Sequence, residues 1–553
     1  MTTVSEALAS AVAHLQAGRL HDAEELCRRV LAAESTNGQA WHLLGYMAHQ
    51  RGQYETAVDL ISRSLEFAPN SAAALNNLGL SLHPLRKYDD ALASYQRAIK
   101  INQDSPEVHN NIGNVLKDLG QPEAAIASYR RSLELRPDNH RTHSNLLTTL
   151  LLCCDFSAAE IYAEHRRWNE RFSLPLAKLI QPHPNDRTPN RRLRIGYVSP
   201  DFRIHCQAFF MVPLLANHNR QNFEIVCYSD VPKPDIVTDR LRSLAQQWQS
   251  IVGLNDDQVA RLIRQDQIDI LVDLTMHMEQ GRPLLFARKP APVQVCWLAY
   301  PGTTGQTAID YRLTDPQLDP IGSHDEYYTE QSIRLPETFW CYDPLTSEPL
   351  VNALPALENG YITFGSLNNF CKVNDGILKL WARVLKAVDR SRLLILAPEG
   401  SGRDRVRAVL HGEGIDPDRV AFVPHQPMAK YLATYNQIDI GLDTLPYNGH
   451  TTSLDAFWMG VPVVTLVGET VVGRAGLSQL TNLKLTDLIA HSEDEYVRIV
   501  AGLAADLDRL AGLRQTLRGR MQQSPLMNAP RFATAIESDY RQMWQNWCGQ
   551  DSP

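Results

Sequence analysis

This sequence predicts an all-helical repeat arm followed by two α/β domains built on parallel sheets, and three observations carry that prediction. Ala23, Ala57, Ala91 and Ala125 recur at a fixed step of 34 residues. After about residue 190, short apolar runs rich in β-branched residues begin to alternate with helical stretches, the pattern of βαβ units. Those runs fall into two successive series, which implies two Rossmann-like domains facing each other across a cleft.

The arm comes first. Gly45, Gly79 and Gly113 keep the 34-residue step, as do Gly18, Gly52 and Gly120, with Arg86 in the one gap. Small residues at two fixed offsets of a 34-residue period are the signature of tetratricopeptide helix pairs, which stack into a superhelix with a long inner groove. Trp41, Leu44, Gly45, Gly52, Ala57 and Pro69 fill the expected bulky, small and terminating positions of the second repeat. The first repeat is degenerate, as a cap is, and His143 and Leu146 begin a fifth. Asn77, Asn111 and Asn145 also stand 34 apart, on the groove side of each first helix. An amide offers a donor and an acceptor together, so a ladder of them can hold a peptide main chain. The alternative is that these amides bond between neighbouring repeats.

Composition narrows the class. A net charge of −8 with no dense Lys/Arg run argues against nucleic acid and acidic membranes as partners. No apolar stretch reaches the length of a membrane span, and the start, MTTVSEALASAVAHL, reads as a helix and not a signal peptide. Nine scattered cysteines without a CxxC pair read as reduced thiols of the cytoplasm.

In the α/β half the expected strands are 193–198, 223–228, 268–274 and 293–298, then 361–364, 393–396, 420–423, 438–442 and 461–466. No GxGxxG follows any of them, which disfavours a dinucleotide cofactor. The densest polar stretch runs from Asp443 to Asp455, directly after a strand. Gly449 permits a tight turn, and Thr451, Thr452 and Ser453 open a helix whose free N–H groups and dipole suit a pyrophosphate. Asp455, one turn in, can accept hydrogen bonds from ribose hydroxyls; plain N-capping is the alternative for the hydroxyl triplet, against which the Asn-Gly-His turn before it speaks. Lys372, after the strand at 361–364, is placed to reach the same diphosphate. Asp201 and His205 share one short loop after the first strand, where they can handle a proton or orient each other; a local Asp–His turn is the plainer alternative. The aromatic loop Trp297–Gly305 is expected to wall the acceptor side. Asp416-Pro417-Asp418 looks like a metal-binding DxD but precedes its strand, at the wrong end of the sheet.

These stretches together resemble the protein O-GlcNAc transferase family, tetratricopeptide arms joined to a two-lobed glycosyltransferase B fold. The resemblance rests on GYVSPDF-x-x-H, KPAPVQVCWLAYPGTTG, LDTLPYNGHTT-x-x-D and GETVVGRAGLSQL. It implies inverting transfer of N-acetylglucosamine from UDP-GlcNAc to Ser or Thr of proteins, with no metal and no cofactor. It assigns Lys372 to the donor diphosphate, His450, Thr451 and Thr452 to the sugar and phosphates, Asp455 to the ribose, and Asp201 and His205 to proton handling. Asn369, Gln426 and Tyr431 complete the implied donor set. Met428, Tyr431 and Thr434 stand where animal members carry lysine, histidine and arginine, and Asn369 where they carry glutamine. Those departures leave open another donor, such as the GDP-fucose of plant SPINDLY proteins, and a catalytically weak protein-binding homologue is the third reading. The expected segments are an arm to residue 150, a helical linker to 190, lobes at 191–348 and 349–525, and a C-terminal helix over 526–553.

Overall fold

A computed structural model describes residues 3–549; residues 1–2 and 550–553, the extremities of the expected arm and C-terminal helix, lie outside the described residues. The chain divides into two compact units. One comprises the residues up to Thr142 with the segment Pro398–Arg405, the other His143–Ala397 with the residues from Val406 onward. The first unit therefore ends before the expected residue 150.

The first unit holds four helix pairs: Val4–Gln16 with Leu20–Ala33, Gly38–Gln50 with Tyr54–Phe67, Ala72–Leu82 with Tyr88–Ile101, and Pro106–Asp118 with Pro122–Leu135. The 34-residue step has a steric cause. A Cβ on Gly45 would lie 2.4 Å from Ile61 Cγ1, and one on Gly79 or Gly113 would lie 2.5 Å from the ring of Tyr95 or Tyr129. The four periodic alanines are fully buried in the same crossings. Asn37, Ser71 and Ser105 cap the first helix of their pairs, each accepting from a backbone N–H three residues on. Gly18, Gly52 and Gly120 turn the chain between helices at φ between +71° and +74°, and Arg86 adopts φ +57° in their stead. The periodicity is thus a backbone requirement that one arginine also meets.

In the second unit, helix Ala158–Trp168 runs into a π turn at Asn169–Ser173 and a 3-10 turn at Leu174–Leu179. Seven parallel strands follow: β1 Leu193–Ser199, β2 Phe223–Ser229, β3 Gln247–Ser250, β4 Ile270–Asp273, β5 Val293–Cys296, β6 Tyr311–Thr314 and β7 Gln331–Arg334, in the order β3-β2-β1-β4-β5-β6-β7. Six more form the second sheet: β8 Ile362–Ser366, β9 Ser391–Leu396, β10 Val420–Val423, β11 Ile440–Leu442, β12 Val463–Leu466 and β13 Ile489–Ala490, in the order β10-β9-β8-β11-β12-β13. One continuous apolar core joins both sheets. The last helix, Ala529–Cys548, returns to the first sheet, where Tyr540 meets Tyr197 and Glu537 accepts from His218 at 2.8 Å.

The strands not expected from sequence are β3, β6, β7 and β13. QWQS and QSIR are polar edge strands, and β13 has two residues. In β6 the side chain of Arg312 is buried on Asp319 at 2.6 Å, so a charge interrupts its apolar pattern.

Gly79→Ala places a methyl group inside the Tyr95 ring and is expected to cost about 1–3 kcal/mol. Gly502→Ala, with nothing within 4 Å of its added Cβ, should be neutral or slightly stabilising. Thermal melts followed by circular dichroism compare the two.

Candidate functional site

In each sheet the strand order reverses once, beside β1 and β4 in the first and beside β8 and β11 in the second. Loops leaving the carboxyl ends of strands at such points form ligand crevices. The loops after β1, β8 and β11 carry Asp201 and His205, Lys372, and Asp443–His450 respectively.

The loop after β11 is folded by its first residue. Oδ1 of the buried Asp443 accepts the N–H groups of Thr444 at 2.9 Å and Gly449 at 2.6 Å, and Oδ2 accepts from Thr465 Oγ1 at 2.7 Å. Burial pushes this carboxyl up to about 6 against those three bonds. Asn448 closes the turn by donating to Thr444 O at 2.7 Å. The helix Thr451–Trp458 then starts with no side chain capping it. A Cβ on Gly449 would lie 2.3 Å from Ser453 Oγ and 2.8 Å from Thr452 Oγ1, so any larger residue there would push both hydroxyls aside. Thr452 Oγ1 donates to Asn368 Oδ1 at 2.5 Å, which joins this loop to the one after β8.

Lys372 ends a 3-10 turn, Phe370–Lys372, in that second loop. Its Nζ donates to Asn448 O at 2.7 Å and lies 4.0 Å from the centre of the Tyr447 ring. Burial lowers the ammonium to about 8, with the Asp443 charge working the other way. An ammonium and an uncapped helix start thus converge, an arrangement that can stabilise a diphosphate. His450 stands between Tyr447 and Trp340, 5.1 and 5.4 Å between ring centres, and burial pushes its imidazole down to about 3. It is neutral at pH 7.

Asp455 is 3% exposed. Tyr342 donates to Oδ1 at 2.6 Å and Tyr431 to Oδ2 at 2.9 Å, while burial raises the carboxyl to about 6. Thr434 Oγ1 lies 3.3 Å from Gln426 Oε1. Gln426 is half-buried and Asn369 exposed. Tyr342, Tyr447, Asn448 and Asn368 were not singled out by the sequence reading. Tyr447 and Asn448 lie inside the motif stretch, whereas Tyr342 comes from the segment between the sheets and left no local signal.

Across the crevice, His205 Nδ1 stands 3.8 Å from Asp201 Oδ2, an ion-pair distance too long for a hydrogen bond. Asp201 is held by Arg203 at 3.2 Å and by Gln207 at 3.4 Å, and Gln207 also donates to Leu274 O at 3.0 Å. Burial lowers the His205 imidazole, with the Asp201 charge opposing. Burial pushes the neighbouring Cys206 thiol up to about 11, and the charges of Asp201, Asp455 and Lys372 act on it, so the two sides of the crevice face each other there. The aromatic loop after β5 turns inward instead of walling the crevice. Trp297 Nε1 donates to Phe339 O at 3.2 Å, and the buried Tyr300 bonds His165 Nε2 at 2.6 Å. Asp416 caps the turn Pro417–Arg419 before β10.

In the arm, Asn77 Nδ2 lies 2.9 Å from His42 Nε2, and Asn111 Nδ2 donates to Asn76 Oδ1 at 3.0 Å. These two amides bond one repeat back. Asn145 lies in the second unit, half-buried on helix His140–Leu150. A separate cavity of about 610 Å³, beside the amino-terminal ends of β8–β10, is lined by Leu354, Tyr361, Arg392 and Asn436 and includes none of the site residues above.

Residues 170–351 and 352–536 match the model for "Glycosyl transferase family 41", and residues 86–120 and 106–139 match TPR and tetratricopeptide repeat models. The chain is 40% identical over 402 residues to the "Probable UDP-N-acetylglucosamine--peptide N-acetylglucosaminyltransferase SPINDLY" of Solanum lycopersicum, which covers 71% of this chain and 43% of that protein. It is 32% identical over 374 residues to the SEC protein of the same description from Arabidopsis thaliana, covering 66% of this chain and 38% of that one. The chain thus spans less than half the length of these curated relatives. A solved mutant of the Thermobaculum terrenum O-GlcNAc transferase superposes with a TM-score of 0.87 at 38% identity, over 93% of this chain and 98% of that one.

Asp443→Ala would leave two backbone N–H groups and the Thr465 hydroxyl without their acceptor. It is expected to cost about 2–4 kcal/mol, with Asp443→Asn intermediate. Denaturant unfolding of the three chains measures the effect.

Proposed function

This chain belongs to glycosyl transferase family 41, and we propose that it transfers N-acetylglucosamine from UDP-GlcNAc to Ser and Thr hydroxyls of proteins, its repeats holding the acceptor polypeptide. The observation that carries this reading is the Lys372 ammonium, seated on the Tyr447–Asn448 turn beside an uncapped helix start. The donor diphosphate lies there, Asp455 takes the ribose hydroxyls, and His450, Thr451 and Thr452 meet the sugar and phosphates. Gln426, Asn369 and Tyr431 border the nucleoside.

In the reaction the acceptor oxygen forms a bond to the anomeric carbon as the bond to the β-phosphate oxygen breaks, with inversion. The hydroxyl proton passes to His205, which burial keeps neutral and therefore able to accept it, and Asp201 steadies the imidazolium. The leaving UDP carries the charge that Lys372 and the helix start neutralise, a division of labour that calls for no metal ion. Asn77, Asn111 and Asn145 contribute acceptor contacts once their present bonds exchange for peptide groups. No helix of the described residues is long and apolar enough to cross a membrane, and all nine cysteines are free; both support a place in the cytoplasm.

Lys372→Ala should lower kcat about 100- to 1000-fold while the melting curve stays that of the parent; undiminished turnover would refute the assignment. Thermal shift with UDP against GDP decides the donor, because a ligand of the native state raises the midpoint. A rise with GDP alone would favour a GDP-sugar.

The pH profile follows from two shifts. Lys372 is protonated below about 8 and Asp455 ionised above about 6, so kcat/KM should fall as pH rises through about 8 and as it drops through about 6. In Lys372→Arg the alkaline limb should disappear.

A further inference from the structure

The carboxylate assigned to the ribose is already occupied. Each oxygen of Asp455 accepts a phenol hydrogen, from Tyr342 at 2.6 Å and from Tyr431 at 2.9 Å, and the side chain is sealed from solvent. Each oxygen keeps a second lone pair, but the buried side chain is out of reach of a ligand hydroxyl unless a side chain covering it moves aside. The two phenols differ in freedom. Tyr342 is 1% exposed and packs against Phe209 and Phe210. Tyr431 is half-buried, on the two-turn helix Met428–Thr434, where Met428, Ala429, Lys430 and Ala433 are exposed.

The proton count around Tyr431 is also short. Its hydroxyl lies 2.9 Å from that of Tyr435, which in turn lies 3.0 Å from Thr452 O. Two phenol protons therefore serve three contacts: Asp455 with Tyr431, Tyr431 with Tyr435, and Tyr435 with Thr452. A ligand hydroxyl that takes over the Asp455 contact removes the shortfall: with the Tyr431 hydroxyl moved aside, the Tyr435 proton serves Thr452 O and the ligand's proton serves Asp455.

We propose that Tyr431 is a removable stopper of the ribose subsite, its phenol hydroxyl standing where a hydroxyl of the nucleoside diphosphate is to hydrogen-bond Asp455. Tyr342 is the fixed holder of the same carboxylate. Donor binding then exchanges one hydroxyl for another on Oδ2 and swings the Tyr431 ring toward the base. The subsite thereby selects a nucleoside that carries a ribose diol, since a sugar without those hydroxyls leaves the phenol on Asp455 and makes no bond to the carboxylate. This inference rests on the donor-site reading given under Proposed function.

Tyr431→Phe keeps the ring and removes the competing hydroxyl. The full chain, checked for an unchanged melting curve, is titrated calorimetrically with UDP and with 2′,3′-dideoxy-UDP. UDP should bind Tyr431→Phe about three- to tenfold more tightly than the parent, while the dideoxy analogue should gain less. Unchanged or weaker binding of UDP, or an equal gain for both nucleotides, would overturn the stopper. Asp455→Asn separates the two levels of the reading. If it binds UDP as the parent does, the ribose assignment fails and the stopper with it. If it binds UDP weakly and Tyr431→Phe shows no gain, only the stopper fails.

Discussion

The crevice depends on one buried carboxylate. Asp443 sits at the end of β11, where burial opposes its charge, and it remains there because two backbone N–H groups and the Thr465 hydroxyl converge on it. Those bonds bend residues 444–449 back over the strand end. The bend sets the Asn448 carbonyl and the Tyr447 ring under Lys372 and lets the following helix begin uncapped. The arrangement is costly, since an ammonium lowered to about 8 is poorly solvated. An incoming anion relieves that cost, which is how a preorganised site favours the charge that develops as a diphosphate departs.

The two units draw stability from different sources. In the repeats each contact is local, and a glycine opposite an aromatic ring in the next helix recurs because each crossing poses the same packing problem. In the α/β unit, long-range parallel pairing and a core shared by both sheets hold the crevice loops. Side chains there act across elements, as Tyr342 does when it reaches Asp455 from the segment between the sheets.

Much of this was legible in the sequence because the physics behind it is periodic or contiguous. The 34-residue step, the βαβ alternation and the Asp443–Asp455 stretch each lie in one run of residues. What was missed lies elsewhere: polar edge strands such as Gln247–Ser250, a strand whose arginine is neutralised by an aspartate in the loop after it, and a tyrosine brought to the site by chain return. The loop Trp297–Gly305 misled for a related reason. Aromatic residues after a strand suit a binding wall, yet here Tyr300 is spent on His165, a partner in the preceding helical segment. Of the asparagines expected to face the groove, Asn77 and Asn111 bond between repeats, which is the plainer of the two alternatives the sequence left open.

The return of helix Ala529–Cys548 to the first sheet has a consequence for biosynthesis. Tyr197 of β1 and His218, at the end of the helix that follows it, meet a cover translated more than 300 residues later. A nascent arm can condense as each helix pair leaves the ribosome, but the first lobe has to wait with its apolar face unsheltered until the final helix emerges. Chaperone demand during synthesis is therefore concentrated on the middle of this polypeptide, between an early-folding start and a late-arriving lid.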